Sequence, residues 1–211
     1  MPANRVTSNS PWHLILVLDD SGSMSGQPSS DVNQAVIALV DEMKLLSQGL
    51  KPYFKLSVVV FGSHARSACE AVSENAVDMT AITALSGSSG STNAAAALQE
   101  ANAILLRNPG KATDFVPYVF FLSDGAPDDV GTALAAGTAL KGLSVAAGTP
   151  HLVTIGFGSV NDSFMSQLAS NPELYKKLAN SREIVKLFPS IGTMAQTATG
   201  AAGVDQAIMN I

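Results

Sequence analysis

Asp19-Asp20-Ser21-Gly22-Ser23 follows directly on the apolar run His13-Leu14-Ile15-Leu16-Val17-Leu18. The run reads as a buried strand that delivers one carboxylate, Asp19, and two hydroxyls, Ser21 and Ser23, into a tight glycine-containing turn. Hard oxygen donors crowded together suit a hard divalent cation such as Mg2+. Two further segments carry the same chemistry, Gly90-Ser91-Thr92-Asn93 and Phe120-Phe121-Leu122-Ser123-Asp124-Gly125. Each alone is ordinary, since Asp, Ser and Gly dominate turns and Ser-Thr-Asn is a plain helix N-cap sequence. Together, two after strands and one before a helix, they point to one metal site built from Asp19, Ser21, Ser23, Thr92 and Asp124. Mg2+ takes about six oxygen ligands and keeps several waters, so this set leaves a position open. If the direct ligands are mostly neutral hydroxyls, the ion favours an added carboxylate from a partner.

The elements that must position these loops alternate strand and helix, which argues for a mostly parallel sheet covered on both faces. His13 to Asp19 is the first strand. Asp31 is the expected N-cap of a helix running to Gln48, ended by Gly49 and Pro52. Its apolar positions Val32, Ala35, Val36, Leu39, Val40, Met43 and Leu46 hold the spacing of one buried face. Phe54 to Phe61 is a second strand, and Arg66 to Val72 returns as an antiparallel edge strand. The Gly/Ser loop Ser86 to Ser91 precedes an Ala-rich helix from Asn93 to Leu106. Val116 to Ser123, the most apolar strand, belongs at the centre of the sheet. The remaining pattern predicts a helix over Asp128 to Ala147, a strand over His151 to Phe157, and helices over Asn161 to Ala169 and Pro172 to Ala179. A last strand over Glu183 to Phe188 and a closing helix over Ser190 to Ile211 complete it. In open α/β sheets, ligand sites lie outside the carboxyl ends of the strands. Asp19 and Asp124 converge there if their strands are neighbours.

The three loops resemble the metal-ion-dependent adhesion site of von Willebrand factor A domains, and the similarity covers essentially residues 1–211 as a single domain. The resemblance implies a Rossmann-like three-layer α/β/α sandwich, mostly parallel with one antiparallel edge strand. It implies that Ser21 and Ser23 bind Mg2+ or Mn2+ directly, and that Asp19, Thr92 and Asp124 bind directly or through water. A protein partner then contributes an Asp or Glu carboxylate. Val17 to Met24, with Gly26 and Val32-Asn33, looks most like the bacterial stand-alone group of TerY-type tellurite-resistance proteins. That likeness implies a stress response and a protein kinase or phosphatase as partner. Asp20, not a family ligand position, is expected at the rim with Met24 and Gln27, tuning partner choice.

Composition narrows the field. A net charge of -5 gives no basic stripe for nucleic acid, and charged residues are only 14% of the chain, so the surface is weakly charged. No run is apolar and long enough for a membrane span or a secretory core. Cys69, the one cysteine, excludes an intramolecular disulfide and favours a reducing compartment, so a cytoplasmic location is expected. His13, His64 and His151 are too dispersed for zinc. Asp128 and Asp129, just after the third loop, could support or rim the metal site, but the preferred reading is the acidic first turn of a helix. The expectation is a binding module without catalytic residues. The alternative is a metal-dependent phosphoryl-transfer enzyme on a Rossmann-like fold, which needs a nucleophilic carboxylate and usually a lysine near the phosphate.

Overall fold

The computed structural model describes residues 3–47 and 52–210. The expected helix end at Gln48 and Gly49, and the terminal Ile211, lie outside these residues. The polypeptide forms β1 (Trp12–Asp19), α1 (Gln27–Ser47), β2 (Phe54–Phe61), β3 (Ala65–Ser73), the single turn α2 (Met79–Ile82), α3 (Ala94–Arg107) and β4 (Phe115–Ser123). Then come α4 (Val130–Lys141), β5 (His151–Gly156), α5 (Asp162–Leu168), β6 (Tyr175–Lys177), α6 (Ile184–Thr197) and α7 (Gly200–Met209).

The six strands are ordered β3-β2-β1-β4-β5-β6, parallel except for β3. Both central strands are buried along their whole length. Side chains alternate across a strand, so one strand serves two cores. Leu14, Leu16 and Leu18 pack under α1, α6 and α7, whereas Ile15 and Val17 pack under α3, α4 and α5. The result is the expected three-layer α/β/α sandwich. The chain winds from β1 outward through β2, then returns to place β4 on the other side of β1. The crevice between the carboxyl ends of β1 and β4 is therefore the topological switch point. Register brings Leu18 opposite Leu122, so Asp19 and Ser123 leave the sheet side by side.

The edge strand β3 is irregular. Its pairing with β2 slips twice, between Leu56 and Val58 and between Val58 and Val59, and Ala71 adopts a left-handed φ of 48°. Cys69 is partly buried there, and burial pushes its thiol up to about 11. This is a packing environment and not that of a reactive thiolate.

Several expected elements are different in the structure. α1 begins at Gln27, so Asp31 is not its N-cap. Asp31 instead accepts from Gln27 Nε2 at 2.7 Å and from Ser181 Oγ at 2.5 Å, tying the helix to the turn before α6. α4 stops at Lys141, capped by Gly142, and does not reach Ala147. Pro172 to Ala179 is not a helix. It is one 3-10 turn, Pro172–Leu174, followed by the last strand, β6. Glu183 to Phe188 is not a strand but the start of α6, whose buried Ile184, Leu187, Phe188, Ile191, Met194 and Ala195 follow a helical period. The closing helix is interrupted at Ala198-Thr199, giving α6 and α7. Among the described residues, no helix is long and apolar enough to cross a membrane.

Candidate metal centre

Asp19 closes β1, and its carboxylate is fixed from both sides. Its Oδ1 accepts from Ser21 N at 2.8 Å, and its Oδ2 accepts from Ser123 Oγ at 2.6 Å. The Ser21 bond folds the chain into a 3-10 turn, Gly22–Met24, which turns the two serine hydroxyls toward each other at 3.2 Å. Ser23 Oγ donates to Asp124 Oδ1 at 2.6 Å, so the first and third motif loops meet across the switch point. Thr92 reaches the same place. A methyl group on Gly125 would stand 3.8 Å from Ser23 Oγ and 3.9 Å from Thr92 Oγ1, so both hydroxyls flank the space that this glycine leaves open. The structure therefore brings together all five expected residues.

Electrostatics test whether a cation fits. Asp19 is fully buried and Asp124 is 8% exposed. Burial raises both carboxyls above their ordinary range, against the hydrogen bonds that lower them, and the negative Asp124 adds to the shift at Asp19. Among the described residues, neither carboxylate forms an ion pair with lysine or arginine. Two uncompensated buried acids beside three hydroxyls are costly alone and suited to a divalent ion. The donor set is all oxygen, and no group of three His, Cys, Asp or Glu suitable for metal occurs among the described residues. The site's character thus rests on its hydroxyls, a donor set that fits a hard divalent cation.

A second tier of side chains holds the Gly/Ser loop in place, and Asp20 is its centre. Asp20 was expected at the rim, yet it is 4% exposed. Its Oδ1 accepts from Ser86 N and Gly87 N, both at 2.7 Å, and its Oδ2 accepts from Ser89 Oγ at 2.5 Å. Backbone N–H donors reward an acid at this inward-facing position, so it scaffolds and does not advertise charge. Gly87 has φ +66°, and a methyl there would sit 2.1 Å from Ser25 N, so the loop touches the first motif loop only because Gly87 lacks a side chain. Met24 is also fully buried, leaving Gln27 as the exposed member of the expected rim. Asn33 brackets the loop from α1, donating to Leu85 O at 2.9 Å and accepting from Leu85 N at 3.2 Å.

Asp128 completes the scaffold. It accepts from Thr92 N at 3.0 Å and from Ser91 Oγ at 2.8 Å, locking the second motif loop to the third. Asp129 alone has the helix role expected of the pair, accepting from Thr132 N as N-cap of α4. Sequence reasoning missed Asp20 and Asn33 as scaffolding, and set aside a supporting role for Asp128 in favour of the helix turn, because their partners are far away along the chain. The one available signal was their closeness to motif residues.

Known proteins share this architecture. A family model described as the von Willebrand factor type A domain matches residues 13–190. The uncharacterized protein sll0103 of Synechocystis sp. (strain ATCC 27184 / PCC 6803 / Kazusa) is 32% identical over 153 residues, which are 70% of this chain and 32% of that protein. The chain thus spans about a third of the length of the curated relative it matches. The pilus adhesin SpaC of Lactobacillus rhamnosus GG superposes with a TM-score of 0.74 at 16% identity, covering 91% of this chain and 31% of SpaC. Proximal thread matrix protein 1 from the mussel byssus, with a zinc-occupied MIDAS motif, gives 0.68 at 20% identity, covering 90% and 47%. Manganese-loaded TRAP of Plasmodium vivax gives 0.61 at 23% identity, covering 88% and 75%. At these identities the structural likeness is one of fold, whereas the family match spans most of the sequence. The chain belongs to the von Willebrand factor type A family.

Proposed function

We propose that the chain is a non-enzymatic, divalent-cation-dependent protein-binding module in which Ser21, Ser23, Thr92, Asp19 and Asp124 hold Mg2+ or Mn2+. The observation that carries this reading is the pair of buried carboxylates with no cationic partner among the described residues, set among hydroxyls from separate loops. A bound cation supplies positive charge and an open coordination position that attracts a carboxylate of the partner. The protein's residues do the positioning. Asp19 and Asp124 contribute negative charge, the three hydroxyls contribute neutral oxygens, and Asp20 and Asp128 fix the loop that presents Thr92. The zinc in the mussel protein and the manganese in TRAP support a divalent ion, and the SpaC adhesin supports a binding role.

The absence of a catalytic role is part of the proposal. Beyond the metal, a phosphoryl-transfer enzyme usually places a lysine near the phosphate that the nucleophilic carboxylate attacks. Lys111 lies beside Asp114 at the far end of β4, and Lys141 Nζ donates to the carbonyls of Gln167 and Ala169. Neither serves Asp19. The first-loop likeness to TerY-type proteins adds a protein kinase or phosphatase in a stress response as the partner class, and the single cysteine adds a cytoplasmic setting.

Calorimetric titration with Mg2+ tests the reading, with Ser21→Ala and Thr92→Ala as variants. Saturable binding to one site, weakened in both variants without loss of circular dichroism, is expected. Folded protein that takes up no Mg2+ at millimolar concentration sinks it. Metal-dependent phosphoester turnover abolished by Asp19→Ala promotes the enzyme reading.

A further inference from the structure

Ser91-Thr92 divides the surface around the site into two sides of opposite character. Ser91 Oγ stands 3.2 Å from Ser63 Oγ in the β2–β3 turn and donates to Asp128 Oδ2 at 2.8 Å on the way into α4. Each side opens into a hollow. The first, about 260 Å³, is lined by Val60, His64, Ala65, Arg66 and Ser89. The second, about 250 Å³, is lined by Asn93, Ala94, Ala95, Asp128, Asp129 and Thr132. The first thus carries a guanidinium and an imidazole, and the second two carboxylates.

The two sets of charges are not equally committed. Asp128 is bonded to Ser91 and Thr92, and Asp129 to the Thr132 amide and hydroxyl. They form a fixed negative wall. Arg66 is exposed, and among the described residues its guanidinium takes part in no ion pair or side-chain hydrogen bond. The acid on its own strand, Glu70, is occupied by Arg107 at 2.9 Å. Ser89, which lines the Arg66 hollow, is bonded to Asp20, the residue next to Asp19. The basic hollow is therefore anchored to the same loops that present the metal centre.

We propose that Arg66, assisted by His64, reads a second acidic side chain on the partner. The recognised segment carries one carboxylate for the cation and another for the Arg66 hollow, and the Asp128/Asp129 wall repels the reversed orientation. A free, planar guanidinium beside an anion-seeking centre makes a bidentate carboxylate site, and like charge on the opposite flank fixes polarity. This inference rests on the metal-dependent reading above and adds the chemistry that selects among acidic partners.

The test is selection from a displayed random heptapeptide library on the full chain in Mg2+, repeated with chelator and with Arg66→Glu. Arg66 is exposed, so the variant keeps its fold, checked by circular dichroism and by an unchanged Mg2+-induced rise in Tm. The expected result is Mg2+-dependent peptides bearing two acids. Arg66→Glu should weaken them about tenfold, and leave their single-acid analogues unaffected. His64→Ala should have a smaller effect in the same direction. Mg2+-dependent peptides with one required acid, indifferent to Arg66→Glu, overturn this inference and leave the metal-dependent reading standing. Peptides that bind equally well in chelator overturn both.

Discussion

The two ends of β1 bury very different side chains. At its amino end Trp12 is enclosed by aromatic rings, with centroids 6.3 Å from Phe54, 5.5 Å from Phe115 and 5.2 Å from Tyr118. Two polar groups nearby are matched, whereas the buried Nε1 of Trp12 itself has no hydrogen-bond partner among the described residues. His13 Nε2 is 2.9 Å from Ser57 Oγ, and Tyr118 donates to Asp205 of α7 at 2.8 Å. At its carboxyl end Asp19 is buried with equal completeness, but with a carboxylate that no lysine or arginine pairs among the described residues. One end gains free energy from being dry, and the other spends some of it to keep an anion dry. A parallel sheet separates these tasks along a single strand, with rigidity at the base and an unsatisfied demand for charge at the top.

Four experiments sharpen or break that contrast, and the largest effect belongs to the base. Trp12→Ala removes the centre of the aromatic cluster and should cost about 3–5 kcal/mol in urea unfolding. It should leave Mg2+ affinity of the folded fraction intact; a loss of affinity as steep as the loss of stability would show that the ends are not separable. Next comes pH. Burial, reinforced by the charge of Lys55 and opposed by Glu70, lowers His13 to about 4 from 6.5. Between those values the unfolded chain holds the extra proton, so stability is complete above the upper value and declines as pH falls toward the lower. The total loss is about 3 kcal/mol. A His13→Gln variant should flatten this part of the pH profile, and an unchanged profile would place the titration elsewhere.

The third effect belongs to the top. Mg2+ at a hundredfold excess over its Kd should add about 2.7 kcal/mol of stability by mass action. Asp19→Asn keeps an acceptor for Ser21 N and removes the charge. It should abolish this increment while leaving metal-free stability equal or higher, because an uncompensated buried anion is gone. A metal-free variant much less stable than the parent would mean that Asp19 is chiefly structural. The smallest effect on the fold is expected for Gly125→Ala. Its methyl enters the space between Ser23 and Thr92 without steric overlap, so metal-free Tm should barely move, and Mg2+ affinity should fall. Equal affinity would mean that this space is not where the cation sits.

The sequence made the same end of the molecule the more readable one. Asp19, Ser21, Ser23, Thr92 and Asp124 are legible because strand ends and a helix start confine them locally, and the apolar runs of β1, β2, β4 and β5 read directly as strands. Their convergence depended on β1 and β4 being neighbours, and the structure supplies that pairing. Long-range roles were hidden. Asp20 looks like a rim acid until its three donors, 66 to 69 residues away, are in place. The last elements misled for another reason. Tyr175-Lys176-Lys177 has no strand pattern and pairs only because β5 offers an edge. The β-branched pair Ile184-Val185 before Pro189 looks extended, although the apolar spacing through Ala195 is helical and α6 accommodates the proline. Short windows register propensity, whereas tertiary packing selects the period.

The slipped pairing of β3 has a bearing on how the protein behaves at high concentration. A regular outer strand presents a continuous row of free amide and carbonyl groups, a template on which another chain's strand can assemble. Two register slips and a left-handed Ala71 interrupt that row on one flank, and β6 offers only three residues on the other. Neither flank gives an incoming strand a long straight seat. With charged residues only 14% of the chain, these interrupted flanks add to the mutual repulsion of a net charge of -5 in opposing sheet-to-sheet association.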